Sequence, residues 1–167
     1  MMYYAPDTQA NFLSEYGWKM GESGISLMPV MTGSGMNAAS KLWTGIDKNG
    51  KNIYDFSVYD EKIISYIASN PNAELIVSFD ASVPKWWAKK YPDEMSINKD
   101  GSTSGASFSS EQWKKDMKQV ISDLIDHITT QSYAKYIVGF RVTAGRTLEW
   151  LPWSDNILDS SPATDKA

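Results

Sequence analysis

Glu149 stands between Leu148 and Trp150, with Leu151 and Trp153 following, directly beyond the apolar, β-branched run Ile137-Val138-Gly139-Phe140-Arg141-Val142-Thr143. Such a run reads as a strand covered on both faces. Loops at the C-terminal ends of strands in α/β folds are where chemistry collects. A carboxylate placed there among aromatics is partly desolvated, which raises its pKa toward the range a general acid needs near neutral pH. From residue type alone, a loop glutamate is more often a solvated surface group, and the flanking Leu148, Trp150, Leu151 and Trp153 argue against that reading here.

A second acid, Asp80, closes the run Glu74-Leu75-Ile76-Val77-Ser78-Phe79-Asp80 in the same way. It could bind a ligand hydroxyl or cap a turn. Beyond it, Val83-Pro84-Lys85-Trp86-Trp87 sets two tryptophans after a proline turn, one expected to pack beneath the loop and the other to face a cleft. The chain is rich in aromatics, with seven Trp, nine Tyr and five Phe, several of them in expected loops. They can serve as packing, or as flat apolar surface for the C–H faces of sugars at little entropic cost. Around Glu149 the candidates for contact with a ligand are Asp80, Trp86, Trp87, Arg146, Trp150 and Trp153.

Other motifs carry less. Tyr91-Pro92-Asp93-Glu94 reads as a turn. Gly33-Ser34-Gly35-Met36-Asn37-Ala38 matches a dinucleotide fingerprint, but that motif must open a full helix packed on the sheet. Here any helix ends by Thr44-Gly45, so a nucleotide-binding domain is a distant third reading. His127 is the only histidine and lies beside an apolar helical stripe, so it is read as structural. There is no cysteine, hence no thiolate metal site or cysteine nucleophile. No metal or cofactor is implied.

The elements that must position these residues follow from periodicity. A helix is expected from Asp7 to about Lys19, with Phe12, Leu13 and Tyr16 on one face, and then a strand Ile25–Met31 in which Pro29 is awkward. Thr32 to Asp55 reads as a long polar loop. A helix from Ser57, with the stripe Tyr59, Ile63, Tyr66 and Ile67, stops at Asn70-Pro71. Ala81 to Ser107 reads as a second long loop. Ser109 and Gln112 form a capping box, with Phe108 and Trp113 as its hydrophobic staple, for a helix running to about Thr129. The order α, β, α, β, α, β implies right-handed βαβ units and a parallel sheet. No short repeat, low-complexity tract or linker is evident, and the tail 154–167 reads as loose.

With 167 residues, 42% of them hydrophobic and 22% charged, the chain has the composition of a globular domain. A net charge of −4 and the lack of a basic patch argue against nucleic acid. No run approaches the roughly 20 apolar residues of a membrane span, and no signal peptide is visible; the compartment is left open.

From about Gly24 to Trp153 the chain resembles the N-terminal half of a clan A glycoside hydrolase, nearest to the family 42 β-galactosidase type. The resemblance rests on Tyr54-Asp55-Phe56-Ser57, Asn70-Pro71-Asn72-Ala73, Val83-Pro84-Lys85-Trp86-Trp87 with Tyr91-Pro92-Asp93-Glu94, Ser107 to Trp113, and Ile137-Val138-Gly139-Phe140, all in order. It implies an α/β fold, a partial (β/α)8 TIM barrel, in which the strands here are two to four. Members retain anomeric configuration, with an acid/base glutamate after strand four and a nucleophile after strand seven. Glu149 matches the first position. The family usually has Asn before that glutamate, where Leu148 stands here.

A barrel needs about 250 residues, so the expectation is a single, incomplete barrel domain over 1–167. It would be inactive alone, and would depend on the remaining half or on self-association. The expected function is retaining hydrolysis of β-galactosides or related β-linked sugars. The alternative is a non-catalytic carbohydrate-binding or assembly piece without the nucleophile.

Overall fold

The computed structural model describes residues 18–31, 41–145, 150 and 162–165. Three parallel strands form its centre: β1 (Leu27–Met31), β4 (Glu74–Asp80) and β7 (Ile137–Thr143), in the order β1-β4-β7. Between β1 and β4 come a hairpin, β2 (Trp43–Ile46) with β3 (Asn52–Tyr54), and helix α1 (Ser57–Ser69). Between β4 and β7 come α2 (Lys85–Lys90), a second hairpin, β5 (Met95–Ile97) with β6 (Thr103–Ala106), and α3 (Glu111–Thr130). Strand, hairpin, long helix and parallel strand thus occur twice. The fold is mixed α/β with a parallel sheet, and the described strands do not close into a barrel.

The two hairpins correct the reading of 32–55 and 81–107 as long loops. Their turns also correct the absence of a repeat. Ile46-Asp47-Lys48-Asn49-Gly50 and Ile97-Asn98-Lys99-Asp100-Gly101 are one pattern used twice. In each, the first Asx N–H bonds the carbonyl four residues on, at 2.8 Å in both, and the glycine N–H bonds back to that Asx carbonyl. Gly50 (φ 83°) and Gly101 (φ 79°) occupy the left-handed region where side chains are strained.

Register divides the sheet into two faces. Met28 and Val30 pair with Leu75 and Val77, and with Phe79 these turn toward the helices. There they meet the stripes Tyr59, Ile63 and Tyr66 of α1 and Trp113, Met117, Val120, Leu124 and Ile128 of α3. Ser78 and Asp80 point to the opposite face, in register with Arg141 and Thr143. Pro29 is tolerated because β1 is an outer strand of the described sheet, where a missing N–H breaks no ladder bond on the open side. β7 is the other outer strand. Val138 is 54% exposed and Phe140 37%, so this strand is not covered on both faces as its composition suggests.

The start of α3 lies one residue beyond the expected capping box. Ser110, not Ser109, is the cap, its Oγ accepting from the Trp113 N–H at 3.0 Å. Gln112 donates instead to Asp116 Oδ1 (2.8 Å). The Phe108 and Trp113 rings do meet, 5.5 Å apart. At α1 the cap residue is Phe56, and Asp55 Oδ1 takes the Ser57 N–H in its place. His127 cross-links the long helices: its Nε2 lies 2.9 Å from Asp60 Oδ1, its ring stacks on Phe56, and Tyr133 also donates to Asp60. Burial first, then Asp60, holds the Tyr133 hydroxyl well above its ordinary range. Within the tail expected to be loose, Pro162–Asp165 form a short helix, α4, with Ala163 buried.

Candidate functional site

The ends of β4 and β7 lie side by side. Asp80 is in register with Thr143, and the Ala81 N–H bonds the Thr143 carbonyl at 2.8 Å. The Thr143 hydroxyl returns a bond to the Phe79 carbonyl (3.0 Å). One pleat down on the same face, Arg141 Nε donates to Ser78 Oγ at 3.1 Å. The adjacent strand ends are thereby fixed in height as well as in spacing.

Asp80 is only 4% exposed. Ser82, two residues on, gives both its N–H (3.1 Å) and its hydroxyl (2.7 Å) to Asp80 Oδ1. Oδ2 is buried with no hydrogen-bond partner, alone in that respect among the described residues. Burial pushes the carboxyl up to about 6, against the opposing pull of the two Ser82 bonds. Buried polar atoms are normally satisfied, so an unpaired carboxylate oxygen at a strand end makes Asp80 a candidate for contact with a ligand.

Two bonds tie Trp150 back to the end of β7. The Trp150 N–H bonds the Ala144 carbonyl at 2.8 Å, and Trp150 Nε1 donates to the Val142 carbonyl at 3.3 Å. Gly145 has φ 87° and Trp150 φ 62°, the latter a left-handed conformation rare for a bulky residue and worth about 1–3 kcal/mol of strain. The Trp150 ring is half exposed and tilts against Phe108 at 6.0 Å. Glu149, Arg146 and Trp153, named from the sequence, lie outside the described residues.

The tryptophan pair divides its labour. Trp87 is fully buried and its Nε1 donates to Asp116 of α3 at 2.7 Å. A ring so placed packs the core and offers no face to a ligand. Trp86 is half-buried, meets Trp43 edge-on at 4.6 Å, and donates from Nε1 to the Trp43 carbonyl at 3.1 Å. Trp43, on β2, is fully buried and was not singled out in the sequence, because it falls in a stretch without strand periodicity. Ser82 carried a usable signal, since Asp-x-Ser after a strand is an Asx-turn pattern. No cluster of three or more metal-ligating side chains occurs among the described residues.

Comparison with known proteins adds the wider setting. The family model for glycoside hydrolase family 42, described as β-galactosidase, matches residues 20–143. The β-galactosidase LacZ of Heyndrickxia coagulans is 31% identical over 103 residues, covering 60% of this chain and 14% of that protein. Among solved structures, the β-galactosidase of the psychrophilic Marinomonas ef1 superposes with a TM-score of 0.56 at 13% identity, over 85% of this chain and 21% of that one. A GH42 β-galactosidase from G. stearothermophilus gives 0.56 at 16% identity, over 83% and 20%. At such identities the structural likeness bears on the fold. The chain spans about a fifth or less of the length of these relatives.

Proposed function

The chain belongs to glycoside hydrolase family 42, the β-galactosidase family, and we propose that it forms strands two to four of a (β/α)8 barrel that hydrolyses β-galactosides or related β-linked sugars with retention. Glu149 is its general acid/base: it protonates the departing glycosidic oxygen, then activates water against the glycosyl-enzyme. The nucleophile, a second carboxylate about 5 Å away in such enzymes, comes from beyond these residues. Asp80, Trp86, Arg146, Trp150 and Trp153 contact the sugar.

The observation that carries this reading is the pairing of the two strand ends. Asp80 with its orphaned oxygen sits beside Thr143, and the strained Trp150, the residue after Glu149, is bonded back to Ala144. This is the end of a parallel sheet at which barrel enzymes keep their active sites. The exposed Val138 and Phe140 on outer strand β7 support continuation of the sheet by further barrel strands or by a second copy.

The test is the anomer released by the protein expressed from its complete reading frame. On an aryl β-galactoside, proton NMR should show β-galactose forming first and mutarotating later. Binding of galactoside without hydrolysis would favour the non-catalytic carbohydrate-binding reading. Sedimentation of the 167-residue chain should show self-association, and a compact stable monomer would contradict the incomplete-barrel reading.

A further inference from the structure

We infer that Asp80 acts as a neutral acid, its Oδ2–H donating a hydrogen bond to an oxygen of the bound sugar. This rests on the sugar site proposed above and assigns the proton within it. Sugar-binding carboxylates usually accept; the geometry here points the other way. Both donors of Ser82 converge on Oδ1, at 3.1 and 2.7 Å. They satisfy one oxygen as an acceptor and leave the other unpaired. Oδ2 is buried and receives no donor from the protein to stabilise negative charge, so that is the oxygen on which the proton resides.

Among the described residues, the polar groups bonded around this strand end offer Asp80 no charge to reverse this. Tyr59 of α1 bonds the Ser78 carbonyl and Trp113 of α3 bonds the Ala81 carbonyl, and both are neutral. Arg141 of β7, the cation registered nearest, directs its Nε to Ser78 rather than to Asp80. Burial outweighs Ser82's pull and carries the carboxyl to about 6, so the acid form persists into mildly acidic solution. An O–H buried without an acceptor costs stability. A sugar oxygen arriving at the strand end supplies that acceptor, after side-chain shifts of the scale common at binding sites.

Two substitutions separate donor from acceptor in the protein expressed from its complete reading frame. Asn keeps a donor at the Oδ2 position and cannot ionise; Ala keeps neither. In wild type, KM for an aryl β-galactoside should rise several-fold as pH passes from 5 to 7.5, while kcat follows its own profile. Asp80→Asn should abolish that rise. Asp80→Ala should raise KM about tenfold at pH 5, the scale of one well-made hydrogen bond, and progressively less as pH climbs and the wild type loses its own donor. Equal damage from Asn and Ala would make Asp80 an acceptor and overturn the proposal, as would an Asp80→Ala variant with unmoved KM at pH 5.

Carboxyl titration by 13C NMR decides the protonation state without turnover, and covers a variant that does not fold. Asp80 should be protonated at pH 5, and an ionised Asp80 there overturns the proposal. Glu149→Gln reports separately on the parent reading. Unchanged turnover in that variant removes the acid/base assignment, while the Asp80 titration still stands or falls by itself.

Discussion

The two βα units of this chain use one scaffold for different ends. Each runs strand, hairpin, long helix, with the same Asx-Lys-Asx-Gly turn and the same two backbone hydrogen bonds in it. The first hairpin is bound into the helical layer. Tyr54 donates to Asp123 of α3 and accepts from Asn52, which in turn accepts from Trp43 Nε1. Burial first, then Asp123, holds the Tyr54 hydroxyl far above its usual range. The second hairpin is held by short local bonds among Ser96, Asn98, Ser102, Ser104 and Ala106. Its unit instead carries a buried acid with one oxygen unsatisfied and a tryptophan pair of which one member is fully buried and the other half-buried. The first unit uses these polar groups in bonds to one another and to α3. The second accepts a local cost at its strand end, as functional sites commonly do.

That contrast can be broken by substitution, beginning with the largest effect. Trp87→Ala should destabilise the chain by about 3–5 kcal/mol, since it removes a fully buried ring and leaves Asp116 Oδ2 without its indole donor. Trp86→Ala should cost distinctly less in urea unfolding, and equal losses would erase the division between packed and site-facing members.

The next effect is a pH dependence peculiar to the second unit. An acid whose folded pKa lies above its ordinary value stabilises the fold at low pH and loses that contribution as pH climbs. For Asp80 the loss runs from about 3.8 to about 6. Asp80→Asn should therefore match wild type near pH 4 and gain on it up to at most about 3 kcal/mol by pH 7. A constant offset across that range would show that the carboxyl titrates normally.

In the first unit, Tyr54→Phe removes a hydroxyl held between Asp123 and Asn52 and should cost about 1–2 kcal/mol. The smallest effects are matched ones. Gly50→Ala and Gly101→Ala meet open space but force a Cβ into the left-handed region, so each should cost about 1 kcal/mol. Unequal costs would show that the two turns are alike in sequence but not in energy.

Much of this was legible beforehand. The stripes of α1 and α3 follow a 3.6-residue period over 13 and 20 residues, long enough for periodicity to speak. The strands β4 and β7 announce themselves by composition. The hairpins did not, because strands of three and four residues hold too few alternations to register. Their repeated Asx-Lys-Asx-Gly turn was the available signal. The exposure of Val138 and Phe140 was hidden for another reason: burial of an outer strand depends on what packs beside it, not on its own residues. Neither the buried tryptophan of the pair nor the unpaired oxygen of Asp80 could be told from sequence, since both depend on contacts with α3 and the loop at Ser82.

The central claim, that chemistry resides at the paired ends of β4 and β7, is tested most directly through Glu149. In the protein expressed from its complete reading frame, Glu149→Gln should lower kcat on lactose by roughly 10²–10⁴, the scale of general acid–base catalysis, and abolish the alkaline limb of the pH profile. An activated aryl galactoside should lose less in its glycosylation step. Unchanged turnover on lactose, with the alkaline limb intact, would contradict the account.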